Sequence, residues 1–194
     1  MSWPTGVSPE CAQARDGIAA SQQTWQVDVP LNRSRVDVIC VPMDVDRQIA
    51  PHDWSAALLQ WRAAGFVTAD RPTGKLVEGG AQGIRLDCPV RPVVYGNQLG
   101  GFRVFCPQCR SGMARAFASA MEAARVADPL QVEITCPSCG LILPLTEVEA
   151  RPPIRIGRCA VILIDVGGVT LTDEGRAAIG ALLGPMSTVF RRTS

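Results

Sequence analysis

The stretch FCPQC at 105–109 has an echo in TCPSCG at 135–140, and both lie in the middle of a chain of 194 residues. Each holds a Cys-Pro-X-Cys pair. A Cys-X-X-Cys turn presents two thiolates along one edge of a tetrahedron, so two such turns supply all four corners: Cys106 with Cys109, and Cys136 with Cys139. Pro107 and Pro137 fix φ just after the first ligand of each turn. Gly140, just after the last, permits the left-handed geometry that brings backbone N–H groups to sulfur. The first turn departs from this pattern. Arg110 stands where glycine is expected and Gly112 follows two residues later, so the first knuckle is expected either to be looser or to open straight into the helix. The spacing predicts one structural zinc ion, held by four thiolates with no open position for water or substrate.

The bulk composition fits that reading and narrows the rest. The chain is 47% hydrophobic and 19% charged, with a net charge of +1. That is an ordinary globular balance with no long-range pull on nucleic acid or an acidic membrane. Lys75 is the only lysine among the 19 basic residues, a bias of composition rather than of mechanism. The N-terminal MSWPTGVSPECAQARDG has neither a basic start nor a continuous apolar core, so no signal peptide is expected. The longest aliphatic run, CAVILI at 159–164, is far too short to span a bilayer. A cytoplasmic location is expected, where eight cysteines read as metal ligands and buried thiols rather than disulfides.

Outward from the cysteines, the pattern predicts an α+β protein. A helix is expected over 8–24, with Ser8 as cap. SRVDVICVPM at 34–43 reads as a strand with Val36, Val38 and Cys40 on one face. Asp53 is the expected N-cap of a helix that carries Trp54, Leu58 and Trp61 at helical spacing and ends at Gly65. One or two short strands follow around 83–95. In the middle, GGFRVFCPQC is a strand, SGMARAFASAMEAARVADP an amphipathic helix, and QVEITCPSCGLILPL a hairpin with the second Cys pair at its tip. Met113, Phe117, Met121 and Ala124 share one stripe of that helix. CAVILIDV is a buried strand, Thr172 caps a last helix ended by Gly184-Pro185, and STVFRR is the final strand. Two flanks of similar layout thus surround the cysteines. The expected division is an N-terminal α/β part at 1–100, a zinc ribbon with inserted helix at 101–150, and a β-α-β part at 151–194. The flanks are expected to pack together as one mixed sheet with helices.

The two knuckles, CPQC and CPSCG, resemble those of a zinc ribbon over about 101–145. In element order and Cys-pair position the wider chain is similar to small bacterial zinc-ribbon proteins often mislabelled as sugar ABC transporter ATPases. Some of those are encoded beside secreted toxins, so the resemblance implies a protein partner and an immunity or antitoxin-like role. The ATPase label itself fails on the residues. A P-loop needs G-x-x-x-x-G-K-[ST]; around Gly74-Lys75, position 69 is Ala and position 76 is Leu.

Three chemical rivals come from the same residues. FRVFCPQCRSGMARAF resembles a glutaredoxin active site, with Cys106 as the thiolate, but leaves CPSCG unexplained. ILIDVGGVTLTD at 162–173 resembles the first motif of haloacid-dehalogenase phosphatases, with Asp165 as nucleophile. Gly167 replaces the second Asp of that motif, and the sole Lys lies upstream rather than downstream. Many zinc ribbons bind nucleic acid, but residues 101–150 carry four Arg (103, 110, 115, 125) against five acids (122, 128, 133, 147, 149), so no basic patch is expected. His52, the only histidine, reads as an exposed or capping residue. Cys11, Cys40, Cys88 and Cys159 read as buried small apolar groups. The resulting expectation is a non-enzymatic zinc protein that acts through another protein; a nucleic-acid-binding ribbon and a thiol oxidoreductase are the alternatives.

Overall fold

The computed structural model describes residues 35–97 and 101–193. Ser8, the helix expected over 8–24 and Cys11 lie outside the described residues. The α+β class holds, with three α-helices among the described residues and the cysteine cluster in the middle of the chain.

One four-stranded sheet organises the flanks. Its order is β12-β1-β11-β4, with β1 Arg35–Pro42, β4 Ala81–Asp87, β11 Ala160–Val166 and β12 Met186–Thr193. All three pairings are antiparallel rather than mixed. β1 and β4 precede the cysteines in sequence, and β11 and β12 follow them. Strands from the two sides alternate across the sheet, so neither flank can complete it alone. Residues of β-branched and aliphatic type fill its centre because both faces are covered. Val38, Cys40, Val161 and Leu163 face helices α1 (Pro51–Ala63) and α3 (Asp173–Leu183), while Ile39, Val41, Ala160, Ile162 and Val189 pack with Tyr95 on the other side.

The helices follow from their end signals. Thr172 Oγ1 accepts the Gly175 N–H at 2.9 Å, and Gly184 closes α3 at φ 79. At α1 the expected cap is corrected. Ala50 is the N-cap, without a side-chain hydrogen bond, and Asp53 lies in the first turn. Pro51 starts the helix two residues before Asp53 because its fixed φ suits the first helical position. Trp61 is buried and meets Trp54 edge-on, with ring centroids 5.7 Å apart, so both tryptophans serve the core.

Short pieces complete the frame. A hairpin of β2 (Val67–Thr68) and β3 (Arg71–Pro72) follows α1, and β5 (Val93–Tyr95) pairs with β10 (Arg155–Gly157). Around the cysteines, β6 (Arg103–Val104) pairs with β9 (Ala150–Arg151), and β7 (Glu133–Thr135) pairs with β8 (Ile142–Pro144). The β6–β9 pair brings the two ends of this middle segment together. Helix α2 (Ala114–Val126) lies inside it and buries Phe117, Ala120 and Ala124 against a second, separate core. Among the described residues, no helix is long and apolar enough to cross a membrane.

Gly175 marks the tightest helix contact. A Cβ there would sit 2.0 Å from the Leu76 carbonyl oxygen, which is backbone and cannot step aside. Gly175→Ala should destabilise the fold by about 1–3 kcal/mol, the usual cost of forcing extra volume into a packed site. Thermal unfolding should register this as a drop of several degrees in the midpoint; an unchanged midpoint would refute the contact.

Candidate metal centre

The second Cys pair sits at the tip of the β7–β8 hairpin, as its turn residues predict. The first sits in a matching turn after β6. Cys106 N–H donates to the Ser111 carbonyl at 2.9 Å, and Arg110 N–H to the Cys106 carbonyl at 2.9 Å. In the second turn Cys136 N–H donates to Leu141 at 2.8 Å, and Gly140 N–H to Cys136 at 3.0 Å. The expectation of a looser first knuckle is therefore corrected. Arg110 adopts φ 61, the counterpart of φ 74 at Gly140, and the two turns share one hydrogen-bond pattern. Arginine bears the left-handed strain itself, because the turn dictates the conformation and the side chain is free to point into solvent.

The four sulfurs converge. Their Sγ atoms all lie within 4.8 Å of one another, and among the described residues this is the only group of three or more His, Cys, Asp or Glu side chains so placed. Cys106 Sγ is 3.7 Å from Cys139 Sγ, and Cys109 Sγ is 3.7 Å from Cys136 Sγ. Those contacts run across the two turns. They are too long for disulfides, whose sulfurs lie about 2.05 Å apart. They match the edge of a tetrahedron with metal–sulfur bonds of about 2.3 Å, which is about 3.8 Å. Cys106 and Cys136 are buried in the second core, while Cys109 and Cys139 are exposed. Each turn thus roots one cysteine among apolar side chains and carries the other at the surface.

Hydrogen bonds tune the sulfurs. The Ser111 hydroxyl lies 3.0 Å from Cys109 Sγ and 3.4 Å from Cys136 Sγ, bridging the two turns. Cys136 is lowered to about 6, first by the Ser111 hydroxyl and then by the N–H groups of Cys139 and Ser138. Cys109 is also lowered, first by the Ser111 hydroxyl and then by its N–H. The Leu141 N–H pulls Cys139 down, but partial desolvation and bonds to the other three sulfurs push it up to about 12. Four thiolates this close repel, so without a cation some stay protonated. A soft dication removes that repulsion and displaces the protons. The donor set, its spacing and its N–H donors all fit such an ion. Ser111 is the functional residue that the sequence reading missed. Its position two residues beyond Cys109 is the one signal that marks it.

The remaining candidates lie elsewhere. His52 is exposed on α1, with Nε2 3.3 Å from Asp53 Oδ1. Asp165 lies next to the last residue of β11, far in sequence from the sulfurs. Cys40 and Cys159 are buried, and Cys88 is half-buried. Burial pushes both Cys40 and Cys159 up to about 12. Compared with protein-family models, with curated proteins and with solved structures, the chain matches none.

Two predictions follow from these groups. Protons and metal compete for the same thiolates, so bound metal should leave as pH falls. Ser111→Ala removes a donor that favours the thiolate form of Cys136 and Cys109. It should weaken metal binding by about 10–100-fold and move acid-driven release to higher pH, read by a chromophoric chelator. An unchanged release curve would show that the hydroxyl does nothing for the thiolates. At the alkaline end the sign reverses. Cys40 and Cys159 hold their protons in the fold up to about 12 but ionise from about 9 once unfolded. Their contribution to stability should be complete below pH 9 and lost as pH rises toward 12, seen as a falling denaturation midpoint that Cys40→Ala flattens.

Proposed function

We propose that the middle segment is a structural zinc ribbon and that the chain is a non-enzymatic, cytoplasmic protein acting through another protein. The observation that carries this reading is the set of four sulfurs within 4.8 Å of one another, with two cross-turn pairs at 3.7 Å, close to a tetrahedral edge. Thiolates alone suit zinc among the common divalent ions, and a full shell leaves it no catalytic position. The apolar Phe105 and Ile142 flank the two turns and are more than half exposed, at 55% and 58%. They are the side chains through which the ribbon would meet a partner. An antitoxin-like protein, the narrower form of this reading, would form a tight stoichiometric complex with one toxin.

The thiol-oxidoreductase alternative loses support from the helix. A glutaredoxin-like thiolate draws its low pKa from a helix that begins at the motif. Here α2 begins at Ala114, beyond the whole turn, and Cys106 is 0% exposed. One observation favours the nucleic-acid alternative. Arg103 stands directly opposite Arg151 across β6–β9, and exposed Phe105 shares the outer face of β6 with Arg103. Glu149 and Glu133 are exposed in the same segment and oppose a phosphate backbone.

Elemental analysis under reducing conditions tests the first claim, together with thiol titration before and after chelation. One zinc per chain that shields four thiols is the expected result. Metal-free protein whose Cys106 and Cys109 cycle as a disulfide would overturn it. Salt-sensitive binding of single-stranded DNA or RNA, lost in Arg103→Ala, would transfer the role to nucleic acid.

A further inference from the structure

A groove of about 1000 Å³ lies away from the cysteines, between the β2–β3 hairpin and the end of the sheet where β4 and β11 meet. Part of its wall is bare backbone. Gly79 and Gly80 are left-handed, at φ 71 and 69, and a Cβ on Gly167 would fall 2.7 Å from the Gly79 carbonyl oxygen. Two chain segments therefore touch through glycine and leave no side chain between them.

Asp165 stands on this wall at φ 50, a conformation that few non-glycine residues adopt. The β4–β11 ladder pairs Ile164 with Gly83 and then Val166 with Ala81, passing over Asp165. Its N–H donates instead to Asp37 Oδ1 at 3.1 Å. Asp37 Oδ2 accepts from Arg191 Nε at 3.1 Å and from Arg191 Nη2 at 2.6 Å. Asp37 is 4% exposed and is the one buried charged side chain among the described residues. A buried carboxylate, paired with a half-buried arginine, thus holds a strained residue in place. Backbone strain fixed by surrounding structure is a recurrent feature of sites that present a side chain to a ligand.

The carboxylate that this device presents is half-buried and has no hydrogen-bond or ion-pair partner among the described residues. Arg71, from β3, lines the same groove and is also unpaired among them. Opposite charges thus share one groove without pairing with each other, whereas the adjacent Asp70 is ion-paired with Arg62. An anion alone would meet Asp165, and a cation alone would meet Arg71. A ligand with both charges satisfies both walls. We infer that this groove binds a small zwitterion, with an ammonium or guanidinium group at Asp165 and a carboxylate at Arg71. Thr68 and Gln82, which also line it, offer neutral donors and acceptors. The site is separate from the metal centre and stands whether or not zinc fills that centre.

The test uses L-arginine as probe on the full chain, followed by amide NMR shifts. Saturable shifts at Gly79, Gly80, Gln82 and Gly167 are expected. Asp165→Asn keeps a residue that tolerates the left-handed region and removes only the charge. It should weaken binding at least tenfold, and Arg71→Gln, at an exposed position, should do the same. Agmatine lacks the carboxylate and keeps two positive charges, so it should bind wild type more weakly than L-arginine does and should lose no affinity in Arg71→Gln. Absence of saturable shifts, or binding undiminished in Arg71→Gln, would overturn the inference. Should Asp165→Asn prove unfolded by circular dichroism, the Arg71→Gln and agmatine arms decide alone.

Discussion

Four sulfurs converge in the middle of this chain, and as thiolates they would repel one another unless a cation sat among them. The strands there are two or three residues long, and two such ladders cannot stabilise a hairpin on their own. Helix α2 adds an apolar stripe, but Cys106 and Cys136 are themselves part of the core that it covers. Without an ion, unsatisfied thiol or thiolate would remain within that core. Structural zinc in small domains is worth on the order of 10–16 kcal/mol of folding free energy. A zinc ion held by this cluster would supply more than the short ladders and one helix face do, and fold and metal in this segment would then amount to one equilibrium.

The flanks are held differently. Their sheet alternates strands from before and after the cysteines, so it forms only after the whole middle segment has been bypassed or folded. Such long-range pairing carries a loop-closure cost. The β6–β9 pair brings the ends of the middle segment together and shortens the effective loop. Folding of the middle segment and sheet formation in the flanks are therefore linked through that junction, although their cores are separate clusters.

The legible parts of the sequence were those that a local pattern encodes. The convergence of the four cysteines follows from spacing, α2 and α3 from their apolar stripes and stop signals, and β1 and β11 from β-branched runs. Asp53 was misassigned because two valid start signals, Pro51 and Asp53, sit two residues apart, and the rigid ring prevailed. The pairs β2–β3, β5–β10 and β6–β9 are too short to show a period of two. The antiparallel order of the sheet depends on which flank strands meet, which no local string records. Ser111 was overlooked because its partners are 2 and 25 residues away, and only the folded turns bring them to one hydroxyl.

Arg110 and Asp165 make the same point about strain from opposite ends. Both are non-glycine residues in the left-handed region, at φ 61 and φ 50. At Arg110 the metal-binding turn explains the conformation completely, since Gly140 repeats it with the same hydrogen bonds. Glycine there would relieve the strain without disturbing the ligands. At Asp165 no such turn exists. The ladder resumes one residue later, and a β-branched or alanine residue in ordinary extended geometry would continue it. The chain instead employs Asp37, the one buried charged side chain among the described residues, and the arginine that neutralises it, to keep Asp165 out of register. An ion pair buried for stability alone gains little over apolar packing of the same volume. Asp37 and Arg191 are better understood as fixing a position than as stabilising a sheet, and the position that they fix faces the groove.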